Sequence, residues 1–328
     1  MDDARQTPYA GLTPDCVLDA LDSIGIRGDG RLIALNSYEN RVYQAWREDA
    51  PPVVAKFYRP ARWSDEQIFE EHALVSELAE HEVPAVPPIA IDGRSLFEFA
   101  GFRYAVFERH GGRAPELDRP ATLERLGRFI ARLHTVGAMH PFVHRPALTV
   151  AAFGDASRDY LLAHAFVQAD LRDAWTAAAD LALQQLRRIT EAVGTVATLR
   201  LHGDCHGGNV LWTDDGPHFV DFDDARTGPA VQDLWMLLSG DRADMEKQLA
   251  VLLRGYASFR DFDHRELALI EALRTLRLLH YSAWLARRWN DPAFPAAFPW
   301  FNTHRYWQDR ILELREQIAL MDEPPLAA

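Results

Sequence analysis

The feature that most constrains the fold is a change of hydrophobic pattern along the chain. Between residues 31 and 110, short runs rich in β-branched and aromatic residues alternate with turn signals, which is typical of antiparallel strands. Beyond residue 120, apolar residues recur at helical spacing instead. Strands followed by helices predict an α+β fold. We expect a small antiparallel-sheet lobe at 1–110 and a larger, mainly helical lobe at 111–328.

The first lobe is predicted to carry two helices and several strands. One helix is expected at about 13–23, and Ser64 with Gln67 three residues later fits the capping box of a second. Prolines from Pro84 onward end that second helix. The predicted strands are 31–35, 42–46, 53–58, 89–91, 95–99 and 102–107.

The second lobe is predicted to be helical with one embedded hairpin. Asp215-Gly216 is a turn signal between two short apolar runs at 210–212 and 218–220, so these runs should pair. The first helix of this lobe should start near Pro120. Further helices are expected at about 155–195, 231–238, 242–258 and 265–289.

Composition and charge exclude several classes of protein. With 48% hydrophobic and 25% charged residues, the chain is typical of a globular protein. A net charge of −13 argues against binding to nucleic acid or to an anionic membrane. Cys16 and Cys205 form neither a disulfide framework nor a metal cluster. No apolar run approaches the roughly 20 residues that cross a bilayer, so we expect a cytoplasmic protein.

The most informative segment is 201–211, Leu-His-Gly-Asp-Cys-His-Gly-Gly-Asn-Val-Leu. Asp204 is followed five residues later by Asn209, and the predicted hairpin then leads to Asp221. This order is typical of a kinase catalytic loop that returns through a hairpin to a metal-binding Asp. Asp204 and Asp221 are therefore the predicted catalytic residues, and Asn209 and Asp221 the predicted ligands of Mg²⁺ carried by ATP.

Other interpretations of this segment are weaker. A Gly-Asp pair alone usually marks a turn. His202 and His206 suggest a zinc site, but no third His or Cys follows at a suitable spacing. The combination of loop, hairpin and Asp221 downstream of a strand-rich lobe favours phosphoryl transfer.

Lys56 is one of two lysines among 35 basic residues, the other being Lys247. It lies on the third predicted strand, where kinases keep a lysine for the α- and β-phosphates of ATP. A compact ammonium and a planar guanidinium are not equivalent in such a pocket. Its expected partner is Glu71 rather than Glu70, because apolar residues follow Glu71 at i+3 and i+7 on the same helix face. The alternative is a surface lysine on an edge strand.

Two further segments are predicted to contact ATP. The position between the first two strands lacks a Gly-x-Gly-x-x-Gly motif, and residues 36–41 read Asn-Ser-Tyr-Glu-Asn-Arg. Ser37 and neighbouring amides can hold a phosphate in such a turn, although a plain polar hairpin is the alternative. Glu108 ends the last strand of the lobe, where a hinge would hold adenine mainly through its backbone.

Two other groups of residues are given structural roles. Asp233 follows the metal-binding segment and is expected to cap helix or loop amides. The tryptophans near the end of the chain are expected to pack in the core or to brace the lobe rather than to form a ligand platform, and these are Trp284, Trp289, Trp300 and Trp307.

The catalytic segment resembles the His-Gly-Asp-x-His-x-x-Asn loop of the aminoglycoside/choline phosphotransferase branch of the protein-kinase-like superfamily. Leu133-His134 fits the same branch. At a finer level, the chain resembles the bacterial stress response kinase A family over nearly its whole length. The matching strings lie at 35–43, 56–60, 201–206, 228–238, 292–295 and 298–300.

The resemblance implies a bilobal protein-kinase-like fold and a serine/threonine protein kinase active in bacterial stress response. By motif position, Asp204 would accept the proton, Asn209 and Asp221 would bind Mg²⁺, and Ser37 would touch ATP. It also implies a cytosolic monomer that acts on a protein substrate with a Ser or Thr acceptor.

The residues alone leave the acceptor open. Many protein kinases place a lysine two residues after the catalytic Asp, whereas this chain has His206. A small-molecule hydroxyl kinase of the aminoglycoside, choline or homoserine type is therefore an alternative. A non-catalytic, nucleotide-binding interaction protein is a third, but the intact set of Lys56, Asp204, Asn209 and Asp221 argues against it.

Overall fold

The computed structural model describes residues 8–328. The chain forms two compact units, and neither is continuous in sequence. The first contains residues 8–115, 143–145 and 208–223, and the second contains 116–142, 146–207 and 224–328. The lobe boundary expected between residues 110 and 111 stays a prediction.

Strands dominate the first third of the chain and helices the remainder, so the predicted α+β class is confirmed. From residue 8 to 115 the elements are α1 (Pro14–Ser23), β1 (Gly28–Ala34), β2 (Arg41–Arg47), β3 (Val53–Phe57), α2 (Asp65–Glu80), β4 (Phe97–Phe99) and β5 (Phe102–Glu108). From residue 116 to 328 they are α3 (Pro120–Gly137), α4 (Ala156–Ala163), α5 (Arg172–Val193), β6 (Leu199–Leu201), β7 (Val210–Thr213), β8 (Gly216–Phe219), β9 (Arg226–Gly228), α6 (Gln232–Trp235), α7 (Arg242–Tyr256), α8 (Ile270–Arg287), α9 (Ala293–Ala297) and α10 (His304–Met321).

The sheet of the first unit directs Lys56 away from one hydrophobic core. Its strands pair antiparallel in the order β1-β2-β3-β5-β4. Ala55 and Phe57 of β3 pack in the core that includes α1. Because side chains alternate along a strand, Lys56 points to the opposite face. Ala105, its partner on β5, packs there with Ile68 of α2.

Helix α2 begins where its sequence signal placed it. The Ser64 hydroxyl accepts a hydrogen bond from Gln67 N at 3.3 Å, and the Gln67 side chain accepts one from Ser64 N at 2.9 Å. These reciprocal bonds satisfy two N–H groups that a helix start leaves without partners. The predicted capping box is confirmed.

In the second unit, the strand pair β6–β9 precedes the Asp204 segment. Leu199 pairs with Gly228, and Leu201 pairs with Arg226. Helix α3 approaches β6 so closely that a Cβ on Gly137 would lie 2.2 Å from the Arg200 carbonyl oxygen. Glycine at position 137 therefore lets α3 pack directly against the backbone of β6.

The helices of the second unit are amphipathic, and aromatic residues join several of them. Trp307 of α10 is buried edge-on against Trp175 of α5, with ring centroids 5.9 Å apart. The predicted packing role is thus confirmed for Trp307. Trp300 is 45% exposed and is not a core residue, but its ring packs against Tyr306 with centroids 5.6 Å apart. Across residues 8–328, none of the helices combines the length and apolar content needed to span a membrane.

The predicted strand at 89–91 is wrong. Ile89 donates one backbone hydrogen bond to Val106, and Ile91 pairs locally with Arg94. Pro87 and Pro88 precede these residues and have no N–H to donate to a ladder. The segment therefore crosses β5 as an irregular chain.

Other predicted boundaries differ from the structure. The region predicted as helical at 155–195 contains α4 and α5 with a turn between them. The predicted hairpin is confirmed, but Gly216 pairs with Thr213, so the turn is formed by Asp214 and Asp215. Strands β6 and β9 and helices α9 and α10 are absent from the sequence-based prediction.

Candidate active site

The first unit contains a cavity of about 420 Å³. Apolar side chains such as Val54, Phe107 and Leu211 line one part of it. The predicted site residues of this unit also line it, and these are Ser37, Lys56, Glu71, Glu108, Asn209 and Asp221. Asp204 belongs to the second unit.

A buried ion pair joins β3 to α2 at this cavity. Lys56 Nζ lies 3.1 Å from Glu71 Oε1, and both side chains are buried. The predicted choice of Glu71 over Glu70 is confirmed as a contact. Glu70 instead accepts hydrogen bonds of 2.6–3.0 Å from the backbone N–H groups of residues 143–145. The two neighbouring glutamates therefore have separate tasks.

Lys56 also contacts two carboxylates beyond β8. Its Nζ lies 3.4 Å from Asp221 Oδ1 and 3.1 Å from Asp223 Oδ1. Burial by itself lowers the pKa of Lys56, but the charges of Asp223 and Glu71 outweigh it and hold that pKa well above its ordinary value. The ammonium is therefore charged at every physiological pH.

Arginines that the sequence did not single out complete this network. Arg145 is fully buried, and it donates 2.8 Å bonds to Glu71 Oε2 and to the Asp223 carbonyl. Arg62 forms an ion pair with the Asp223 carboxylate. Sequence offered no signal for either residue, because 33 of the 35 basic residues are arginine, the other two being lysines.

The glycine-poor segment 36–41 is held by side chains. The largely buried Glu39 carboxylate lies 3.4 Å from Arg62 Nη1. The Asn40 side chain accepts a 3.1 Å hydrogen bond from Arg59 N. These contacts fix the turn that carries Ser37 without the conformational freedom that glycines would give it. Whether Ser37 binds a phosphate stays a prediction.

The β7–β8 hairpin connects Asn209 and Asp221, and both residues line the cavity. Val220 N donates a 3.1 Å hydrogen bond to the Asn209 carbonyl, which closes the base of the hairpin. Asp221 has a φ of 61°, a left-handed conformation that Asp tolerates better than most residues. Its side chain is 53% exposed. An accessible carboxylate beside a buried lysine suits an incoming cation.

In the second unit, Asp233 organises the segment that carries Asp204. It is fully buried, and its carboxylate accepts 2.8 and 2.9 Å hydrogen bonds from the backbone N–H groups of His202 and Gly203. His134 Nε2 lies 3.1 Å from the same carboxylate. The prediction that Asp233 caps loop amides is confirmed. Gly203 has a φ of 84°, and a Cβ there would lie 2.1 Å from the Asp224 carbonyl oxygen, so the position requires glycine.

Asp204 is partly exposed and faces two cationic or polar side chains. Its Oδ1 lies 2.6 Å from Arg277 Nη1, and its Oδ2 lies 3.4 Å from His206 Nε2. Burial works to raise the pKa of Asp204, but the hydrogen bond from His206 and the charge of Arg277 outweigh it and hold the pKa below its ordinary range. The carboxylate is therefore ionised at neutral pH.

The chain is similar to known proteins over most of its length. The chain matches the phosphotransferase enzyme family over residues 31–270. Proteins named stress response kinase A from Salmonella choleraesuis (strain SC-B67) and Escherichia coli (strain K12) are 47% and 46% identical to it, each over 97% of this chain and 96% of the relative. The chain belongs to the stress response kinase A family. Another family member, from Salmonella typhimurium, is 47% identical over the same shares and is named serine/threonine protein kinase RdoA.

Solved structures extend the likeness to the fold of this chain. An amicoumacin kinase, hAmiN, superposes with a TM-score of 0.70 at 19% identity, covering 91% of this chain and 90% of that one. A microcompartment-associated aminopropanol kinase superposes with a TM-score of 0.67 at 21% identity, covering 94% and 97%. The predicted kinase-like fold is confirmed, and so is the resemblance seen in the sequence.

Proposed function

We propose that this chain transfers the γ-phosphoryl group of Mg²⁺-bound ATP to the hydroxyl of a serine or threonine in a protein substrate. The enzyme class, a phosphotransferase of the serine/threonine protein kinase type acting in stress response, is that of its family. The observation that carries the finer proposal is the Lys56–Glu71 ion pair on a cavity that Asn209 and Asp221 also line.

The cavity suits an adenine nucleotide. Its volume of about 420 Å³ lies within the ordinary range of small-molecule sites. Apolar walls at Val54 and Phe107 suit a base, and the charged end at Lys56 suits phosphates. Glu108 ends β5 with its side chain exposed, which leaves its backbone for the base.

The oxygen groups at the charged end suit Mg²⁺. Within residues 8–328, His, Cys, Asp and Glu side chains form no cluster of three or more that would hold a metal ion alone. Mg²⁺ commonly takes one or two protein oxygens and completes its shell with water and substrate phosphates. Asn209 and Asp221 would hold the ion, which neutralises phosphate charge when it is bound.

Asp204 acts on the acceptor. Its carboxylate accepts a hydrogen bond from the hydroxyl and takes the proton as the oxygen attacks the γ-phosphorus. The new O–P bond forms as the bond to the β-phosphate oxygen breaks, and the electron pair of that bond leaves with ADP. Asp233 fixes the two amides that precede Asp204, so the base is held before the acceptor arrives.

The acceptor and the setting are part of the proposal. We propose a protein partner rather than nucleic acid or a membrane, because a net charge of −13 repels both. We also propose that the protein acts in the cytoplasm, which supplies ATP, and that it acts as a monomer. His206, where many protein kinases have lysine, favours a small-molecule hydroxyl kinase as the second candidate.

A label-transfer experiment separates these candidates. The purified chain is incubated with Mg²⁺ and γ-³²P-labelled ATP, alone and with a generic basic protein. Label on serine or threonine supports the proposal. Label that appears only after a metabolite extract is added supports the small-molecule kinase, and nucleotide binding without transfer would show a non-catalytic protein.

A further inference from the structure

Helix α8 supplies a cation to the Asp204 segment from 73 residues further along the chain. Arg277 Nη1 lies 2.6 Å from Asp204 Oδ1. It also lies 4.0 Å from the sulfur of Met236. Both contacts use one nitrogen, and no other group within residues 8–328 engages the remainder of the guanidinium. Several N–H donors of Arg277 are thus available to a ligand of Asp204.

The ion pair is poorly suited to a purely structural role. The side chains of Arg277 and Asp204 are 44% and 24% exposed. Ion pairs at such accessible sites typically contribute little to stability. The structural task of this segment is performed by the fully buried Asp233. What Arg277 adds is a positive charge at an accessible carboxylate.

Phosphoryl transfer creates a demand for that charge. Negative charge spreads over the equatorial oxygens of the transferred group, and a cation beside them stabilises the transition state. Many protein kinases meet this demand with a lysine two residues after the catalytic Asp, but His206 occupies that position here. His206 Nε2 lies 3.4 Å from Asp204 Oδ2, on the carboxylate oxygen opposite to Arg277.

We propose that Arg277 is a catalytic residue that binds the transferred phosphoryl group at the acceptor side, in place of the lysine that the loop lacks. The inference rests on the proposed function. The acceptor oxygen that bonds to Asp204 is the atom that attacks phosphorus, and Arg277 Nη1 lies 2.6 Å from Asp204 Oδ1, so its charge would act at the acceptor side of the transferred group. Arg277 releases Asp204 Oδ1 to the acceptor hydroxyl and turns its donors to the phosphoryl group.

The step balances without a proton from Arg277. Asp204 takes the hydroxyl proton, the acceptor oxygen bonds to phosphorus, and the electron pair of the broken P–O bond stays on ADP. Arg277 contributes charge and hydrogen bonds only, because a guanidinium does not deprotonate in proteins. Its effect should therefore appear in kcat rather than in the affinity for ATP.

The test compares Arg277→Met, Arg277→Lys and a control on the same helix, Arg287→Met. Arg287 donates to the Ala156 carbonyl and lies over the Tyr160 ring, with no contact to Asp204. Transfer from γ-³²P-labelled ATP to a generic basic protein gives kcat, and titration with a non-hydrolysable ATP analogue gives nucleotide affinity. Arg277→Met should lower kcat by about 100- to 1000-fold, with unchanged nucleotide affinity. Arg277→Lys should recover much of the rate, and Arg287→Met should match the wild type.

The outcomes separate this inference from the proposed function. A wild-type chain that transfers no label overturns the proposed function itself. An active wild type with an equally active Arg277→Met overturns only the inference, and so does a faster Arg277→Met, which would show that Arg277 blocks Asp204. If Arg277→Met does not fold, Arg277→Lys and Arg277→Gln decide: similar loss in both overturns the role of charge, and loss in Gln alone supports it.

Discussion

The charged groups around Lys56 and those around Asp204 differ in burial and in how their charges are compensated. In the first unit, Lys56, Glu71 and Arg145 are buried and compensate one another through direct ion pairs. In the second unit, Asp204 is accessible, and the buried group beneath it, Asp233, is satisfied largely by backbone amides. The ion pairs around Lys56 hold the side chains that line the cavity. The hydrogen bonds of Asp233 hold the backbone that carries the accessible Asp204 carboxylate.

This difference teaches which functions should be separable by mutation. Removing a charge from the buried network leaves its partners uncompensated, so binding and stability should fail together. Removing the Asp204 charge leaves the backbone beneath it intact, so chemistry should fail alone.

The largest expected effect is on transfer by Asp204→Asn. Loss of the proton acceptor should lower the rate by about 100- to 10,000-fold, while Mg²⁺-dependent ATP binding and the midpoint of thermal unfolding stay near wild type. Asp221→Asn should lose nucleotide binding as well, because Asp221 lines the cavity. Label transfer and titration with an ATP analogue measure the two effects, and equal loss of binding in both variants would break the comparison.

The two lysines give the next contrast. Lys56→Met should destabilise the chain by about 3–5 kcal/mol, because it leaves buried carboxylates without their cation. Lys247→Met should cost at most about 1 kcal/mol, because Lys247 pairs with Asp244 on the surface at 3.4 Å. Urea unfolding measures both, and similar costs would show that the Lys56 network is not a stabilising unit.

Asp233→Ala should cost about 2–4 kcal/mol, since two buried amide donors lose their acceptor. Transfer should fall with it, because His202 and Gly203 no longer fix the segment before Asp204. Asp233→Asn keeps one acceptor oxygen and should lose less of both. Thermal unfolding and label transfer on the same preparations test this, and an active, wild-type-stable Asp233→Ala would remove its assigned role.

The smallest expected effect concerns pH and Glu266. This buried carboxylate accepts a 2.9 Å hydrogen bond from Val231 N, and burial raises the pKa of Glu266 from 4.5 to about 7. The folded chain thus favours the protonated form, and its contribution to stability is complete below pH 4.5 and is lost as the pH rises through 7. The loss should total about 3 kcal/mol, since each unit of pKa difference corresponds to about 1.4 kcal/mol.

Glu266→Gln is the matched variant for this pH effect. It should remove most of the pH dependence and be more stable than wild type at pH 8. Urea unfolding at pH 5 and pH 8 measures the difference. Parallel pH curves for the two proteins would assign the dependence to another group.

The sequence predicted those features that depend on the spacing of residues close together in the chain. The order Asp204, Asn209, hairpin, Asp221 is a linear pattern, and the hairpin appears where it was predicted. The capping box of α2 also appears where its own sequence signal predicted it. The contact between Lys56 and Glu71 could also be predicted, because strand alternation and helix periodicity fix the direction of both side chains. The catalytic and metal-binding roles stay predictions until the variants above are measured.

Contacts between distant segments could not be predicted. Arg62, Arg145 and Arg277 acquire their roles from partners 73 to 161 residues away, and the abundance of arginine conceals them. The error at 89–91 arose because apolar residues suggested a strand where prolines prevent one. Helix α10 was missed because the Pro- and aromatic-rich stretch before it gave no regular period.

Because the protein has only two lysines, amine labelling can report on the state of the cavity that contains Lys56. The two lysine side chains differ sharply in accessibility, at 7% for Lys56 and 76% for Lys247. An amine-reactive reagent should acylate Lys247 readily and Lys56 only when the cavity opens and its ammonium loses its partners. The ratio of the two adducts, read by mass spectrometry, would follow occupancy of the cavity with the second lysine as internal standard.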